Sequence, residues 1–290
     1  MAYDVCLELD AGAILGEGPL WHERGRRLYW IDIIGGNIHI YDPATRIDET
    51  HAVGEYVSCV VPTNRGAFLI ARNHTICEWS PGRPAKELAF AERQMPENRF
   101  NDGKCDPAGR FWIGSMDMNE VRPDGALYVM AGDYRIRRIL DGMTVSNGLD
   151  WSPGGNVMYH VDSPTRRVFA YDCDMKEGSV SNKRTAITIP EGEGYPDGIT
   201  MDSEGTLWVA HWGGSKVSRW DPDGRLLDEI RVPVSRVSSC TFGGRNLDTL
   251  YITTAKYGSG KSGGGDETHA GSLFSVVTDV RGRPANRFVE

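Results

Sequence analysis

Residues 194–214 read GYPDGITMDSEGTLWVAHWGG, and the fold turns on how they are divided into strands and turns. The Asp-Gly pair at 197–198 has the composition of a hairpin tip, yet a second turn signal, SEG at 203–205, follows almost at once. The second signal is the better hairpin, because ITMD before it and TLWVA after it are both short apolar runs. Asp197 is then left at the mouth of a strand.

The same plan recurs along the chain. It appears as GEGPLWHERGRRLYWID from Gly16, SCVVPTNRGAFLIA from Ser58, NDGKCDPAGRFWIG from Asn101, NGLDWSPGGNVMYHVD from Asn147 and SCTFGGRNLDTLYITT from Ser239. Taking Glu17, Ser58, Asn101, Asn147, Asp197 and Ser239 as equivalent, successive separations are 41, 43, 46, 50 and 42 residues. Third strands follow several units, as in NIHIYDP, ALYVMAG, RVFAYDC, KVSRWDP and SLFSVVT. A period of about 40–50 residues built from strands is that of propeller blades. The sequence therefore predicts an all-β, six-bladed β-propeller occupying residues 1–290 as one domain. AKELAFAERQM, residues 85–95, has the only passable helical composition, and its period-2 fragments suit a strand or loop equally. The N-terminal run YDVCLEL is expected to complete the last blade beside SLFSVVT, which removes an exposed sheet edge.

Composition narrows the function. A formal net charge of -8 over 290 residues gives no basic surface for nucleic acid or anionic membrane, so the expected partner is a small molecule. No run of 18 apolar residues and no leader is visible, and the expected compartment is the cytoplasm. The sequence sets no oligomeric state. Six cysteines, without a CxxC pair, sit mostly in apolar strand-like runs and read as free thiols.

In a propeller the first strand of each blade lines the central channel, so equivalent positions face one axis. Glu17, Asn101, Asn147 and Asp197 should converge at one channel mouth. Two carboxylates held together repel, and a divalent cation between them removes the conflict. Oxygen donors suit calcium, magnesium or manganese, while zinc and iron(II) also accept carboxylates. So few protein ligands leave open positions, as catalytic metal sites do.

At these positions the chain resembles the SMP-30/gluconolactonase (regucalcin-like) family. The resemblance lies in GEGPLW, RFNDGKCDPAGRFWIGSM, SNGLDWSP, YPDGITMDSEGTLWVA and SSCTFGG, in order over nearly the whole chain. It implies one divalent metal on Glu17, Asn147 and Asp197, with Arg99 and Asn101 binding substrate. The family's mammalian-type members carry a glutamate at what aligns with Asn119, a third substrate position, and Asp117 and Glu120 stand beside it as replacements. AHWGG, residues 210–214, is more similar to bacterial aldonolactonases. The implied reaction is hydrolysis of a sugar lactone to its aldonic acid, with water activated by Asp197 or by the ion. Two other readings stand beside it: a calcium-binding regulatory protein without turnover, and a metal-dependent hydrolase of other esters.

Competing motifs are weak. GxSxG and HExxH are absent, and His160 and His211 read as packing or supporting residues. AKYGSGKS at 255–262 imitates a phosphate loop, but GGGDETHAG cannot open the helix such a loop requires. DCDMKEG at 172 and DPDGRLLDE at 221 lack the spacing of a calcium loop and read as hairpin turns.

Overall fold

A computed structural model of the chain describes residues 3–54, 56–257 and 267–290. These residues form six antiparallel four-stranded sheets in a ring, a six-bladed β-propeller with one short 3₁₀ turn at Ser163–Thr165. Blades 1 to 5 take residues 16–52, 57–90, 98–143, 146–188 and 195–231, each winding outward strand by strand. Blade 6 is composite. Its strands Val237–Gly243, Thr249–Thr254 and Leu273–Val277 are completed by Cys6–Leu9, which pairs with Leu273–Val277 so that Cys6 stands opposite Ser275. The N-terminal strand thus covers the edge that the last blade would otherwise expose.

The first strand of each blade touches those of the blades before and after it, and blade 6 meets blade 1. The apolar core is divided in the same way into six clusters, one between each pair of neighbours. Trp112 and Trp151 fill the space between blades 3 and 4, for instance, and Trp208 and Phe242 that between blades 5 and 6.

Two kinds of Asp-and-Gly signal separate at this level. DPAG and DSEG are true hairpin turns: Asp106 Oδ1 accepts the Ala108 and Arg110 N–H groups, and Asp202 Oδ1 those of Glu204 and Thr206. The other oxygen of each takes an indole N–H from the returning strand, Trp112 at 2.9 Å and Trp208 at 3.0 Å. Each aspartate so ties a turn to the core. DCDMKEG and DPDGRLLDE are also turns, with Asp174 and Asp221 accepting N–H groups two to four residues on.

The fourth strands, such as Ile136–Met143 (IRRILDGM) and Ser179–Thr188 (SVSNKRTAIT), are charged and half exposed, so they lack the apolar alternation that marks the other three. Within residues 85–95 the strand alternative holds, as Lys86–Phe90 forms the edge of blade 2. All six cysteines are free, and Cys59, Cys77, Cys105 and Cys240 are buried. Among the described residues no helix is long and apolar enough to cross a membrane. Residues 258–262 of the phosphate-loop-like motif lie outside the described residues.

Candidate active and metal site

Every first strand breaks register with its neighbour near its start. The irregularity falls after Glu17 in blade 1, between Phe100 and Gly103 in blade 3, between Ser146 and Leu149 in blade 4, and between Pro196 and Ile199 in blade 5. Asn101, Asn147 and Asp197 are therefore bulge residues, and a bulge re-aims a side chain out of the sheet. The NDG, SNG and PDG triplets are bulges at the channel wall. In blades 2 and 6 the breaks fall at Ser58 and Ser238, and neither of these, nor Ser239, lines the cavity described next.

The bulges open into a cavity of about 650 Å³ at the end of the ring where the first strands begin. Glu17, Arg99, Asn101, Asn147 and Asp197 all line it. These five expected site residues come together from blades 1, 3, 4 and 5, and all are less than a tenth exposed. Asn119 does not join them. It is exposed, whereas Glu120 lines the cavity from a left-handed backbone conformation (φ 58°), its N–H donating to Asp117 O at 2.9 Å. Asp117 is held beneath that turn by the Arg122 guanidinium and by the Val121 and Arg122 N–H groups. Of the two neighbours of Asn119, the turn presents Glu120 to the site and keeps Asp117 for itself.

Electrostatics at the floor are unbalanced in the protein alone. Burial raises the Asp197 pKa well above the carboxylate range, the charges of Glu17 and Asp102 raise it further, and the Asn147 amide opposes them. Glu17 is raised by burial and then by Asp102, despite the Gly18 N–H donating to Oε2 at 2.9 Å. Asp197 Oδ1 is buried and accepts no hydrogen bond. An unpaired buried carboxylate oxygen beside a second carboxylate is costly unless a cation or a proton joins them. Glu17, Asn147 and Asp197 thus present three oxygen donors that could hold a hard divalent ion. Among the described residues no group of three His, Cys, Asp or Glu side chains does so, which makes Asn147 necessary to any such set. Its Nδ2 donates to Ser163 Oγ at 3.1 Å, fixing the amide from the 3₁₀ turn.

Asn101 is engaged at both ends. Its Oδ1 accepts from Arg99 Nη1 at 2.7 Å and its Nδ2 donates to Ser146 O at 2.9 Å, so the amide holds Arg99 in place across blades 3 and 4. Arg99 also donates to Phe100 O at 3.0 Å and keeps its charge at neutral pH, although burial lowers its pKa to about 10. The histidines are supporting groups. His160 hydrogen-bonds Ser146 Oγ and His211 lies between Glu193 O and Ser218 Oγ, and burial lowers their pKa values to about 3 and about 4.

Sequence reasoning missed several wall residues. Asp102, visible in NDG, is not among the wall residues; its charge acts on Glu17 and Asp197 from behind the wall, and burial raises its own pKa to about 6. Tyr56, Tyr195, Trp212 and Arg236 line the cavity from places where strands end, outside the repeating positions. Tyr195 and Trp212 are cross-strand partners, with Arg166 over the first ring at 4.1 Å and Arg236 over the second at 5.0 Å.

Comparison with known proteins adds an independent view. The sequence model described as the SMP-30/Gluconolactonase/LRE-like region matches residues 15–256. A Bacillus subtilis protein provisionally named sugar lactone lactonase YvrE is 37% identical, with 96% of each chain covered. The regucalcin of Danio rerio is 39% identical over 93% of each chain. The solved structure of a luciferin-regenerating enzyme superposes with a TM-score of 0.93 over the whole of both chains, at 31% identity.

Proposed function

The chain belongs to the SMP-30/gluconolactonase/LRE-like family, and from that premise we propose that it is a divalent-metal-dependent lactonase that opens sugar lactones to aldonic acids. The observation that carries this reading is the pairing of buried Glu17 and Asp197 with Asn147 at the floor of the cavity, beside a charged and anchored Arg99. These three ligands would hold a calcium, magnesium, manganese, zinc or iron(II) ion, which when bound polarises the lactone carbonyl and favours ionisation of water.

The remaining chemistry falls to the chain itself. Arg99, oriented by Asn101, donates to the oxygens of the sugar and fixes the ring against the floor. Glu120 faces the same space and accepts from the ring hydroxyls in place of the glutamate expected at Asn119. Asp197 has two oxygens, so it can serve as a ligand with one and accept the proton of the attacking water with the other. The water oxygen bonds to the carbonyl carbon, the ring C–O bond breaks, and the ring oxygen leaves as a hydroxyl carrying that proton. Tyr56, Tyr195 and Trp212 line the same cavity and offer aromatic faces for the sugar ring to pack against.

The test is hydrolysis of glucono-, galactono-, xylono- and arabinonolactone followed with a pH indicator, with and without chelator. Turnover that chelator abolishes and a divalent ion restores is expected. Chelator-insensitive turnover would refute the metal dependence, and ion binding without turnover of any of the four would refute the lactonase reading.

A further inference from the structure

One layer below the site, the channel holds a network of charges that the reaction does not use. Lys104 lies three residues beyond Asn101, and Asp150 three beyond Asn147. Lys104 Nζ donates to Asp150 Oδ2 at 2.9 Å and to Ile199 O at 3.0 Å, two residues beyond Asp197. Asp150 Oδ2 also accepts the Met201 N–H at 3.0 Å. Blades 3, 4 and 5, which carry Asn101, Asn147 and Asp197, are thereby tied at a common depth. The third charge comes from the far end of the chain. Arg283 Nη2 donates to Asp150 Oδ1 at 3.0 Å and to Trp151 O at 2.7 Å. Together with the Trp151 N–H at 2.8 Å, these donors give Asp150 four hydrogen bonds.

Arg283 reaches the channel because the C-terminal segment crosses the ring at the turn end of the first strands, opposite the site. Gly282 N donates to Leu247 O, Ser203 N to Arg281 O, Asn286 Nδ2 to Cys105 O, Val289 N to Gly109 O and Phe288 N to Pro62 O. These bonds touch blades 6, 5, 3 and 2, and Arg283 itself touches blade 4. A buried carboxylate such as Asp150 needs its cations, because an unpaired one would repel the carboxylates above it and draw in water.

We propose that Arg283, with Lys104 and Asp150, is a positioning residue for the metal site. The C-terminal segment then sets the spacing of Asn147 and Asp197 from the opposite face of the molecule, and divalent-ion affinity depends on a residue that touches neither ion nor substrate. This rests on the metal reading under Proposed function. It differs from a merely structural role in what it moves: ligand spacing alters ion affinity, whereas a simple brace alters only the melting temperature.

The test uses the full-length chain, with Mn²⁺ binding measured by calorimetry alongside the melting temperature without metal. Arg283→Gln removes the charge and is expected to weaken Mn²⁺ binding about 10-fold, the lower end of the effect of outer partners on metal sites. Arg283→Lys is expected to bind within about threefold of the parent, because one nitrogen makes both bonds and an ammonium supplies one. Lys104→Gln, which breaks the same network from blade 3, is expected to match Arg283→Gln and replaces it should that variant fail to fold. Parent-like Mn²⁺ affinity in Arg283→Gln or Lys104→Gln, whatever the melting temperature, would overturn the proposal alone. Absence of Mn²⁺ binding by the parent protein would overturn both this proposal and the metal reading.

Discussion

Gly148 is the most informative single residue to change, because its clash is with backbone. It follows Asn147 in the bulge of blade 4, and a Cβ there would stand 2.4 Å from Ile199 N, 2.6 Å from Asp197 O and 2.9 Å from the Gly198 carbonyl carbon. Ordinary contact begins at 3.4 Å, so Gly148→Ala requires a separation of about 1 Å (3.4 against 2.4 Å) between two strands, with no flexible side chain to yield. Those strands carry Asn147 and Asp197. Overpacking of this kind costs about 1–3 kcal/mol, so the variant should fold with a reduced melting temperature. Metal ligands, by contrast, tolerate only about 0.2 Å, and a misplacement of about 1 Å costs on the order of 100-fold in turnover. We expect Mn²⁺ binding weakened at least about 10-fold by calorimetry, and lactone turnover reduced about 100-fold at any metal concentration that still leaves the site partly filled. Gly154→Ala is the control, since its exposed turn offers only Asn156 Oδ1 at 3.2 Å, and it should behave like the parent. Parent-like Mn²⁺ affinity and turnover in Gly148→Ala would refute the argument that close strand approach sets the ligand spacing.

Three further outcomes follow from the site. Asp197→Asn keeps an oxygen ligand but loses the charge and the basic oxygen, so at measured full metal occupancy kcat should fall at least about 100-fold; near-full activity would leave Asp197 a ligand only. Arg99→Ala should leave Mn²⁺ affinity close to the parent's while lowering kcat/KM, and the division of the loss between KM and kcat separates uniform binding from transition-state positioning; loss of metal would contradict the assigned role. The metal-free protein should lose stability as pH rises from about 7 to about 8, the value to which Glu17 is raised. In that window His160 and His211 are neutral in the folded state and mostly neutral in the unfolded one, whereas the raised Glu17 and Asp197 hold protons that the unfolded chain has already lost. The slope is up to about 1.4 kcal/mol per pH unit for each proton. Saturating Mn²⁺ displaces those protons and should flatten the curve, so a flat melting profile in chelator would count against the raised carboxylates.

The sequence by itself determined the blade count, the first two strands of each blade, the closing N-terminal strand and the channel positions of Glu17, Asn101, Asn147 and Asp197. These were legible because each is written locally, in a period of turns and apolar runs that repeats wherever a blade begins. Fourth strands such as Ser179–Thr188 were not, since an edge facing water needs no apolar pattern. Tertiary structure alone decided that NDG, SNG and PDG, already placed at strand mouths by the sequence, are bulges. In SNG and PDG the next blade presses on the glycine, Gly148 against Ile199 N and Gly198 against Ser239, whereas Gly103 of NDG packs on Trp112 and Ile113 of its own blade. It also placed Glu120 in the cavity in preference to Asn119, through one left-handed residue in the turn after Asp117. The aromatic wall and the Arg283 contact come from segments far apart in the chain, whose meeting depends on ring closure. Local signals fix what repeats, and long-range packing fixes what each blade contributes once.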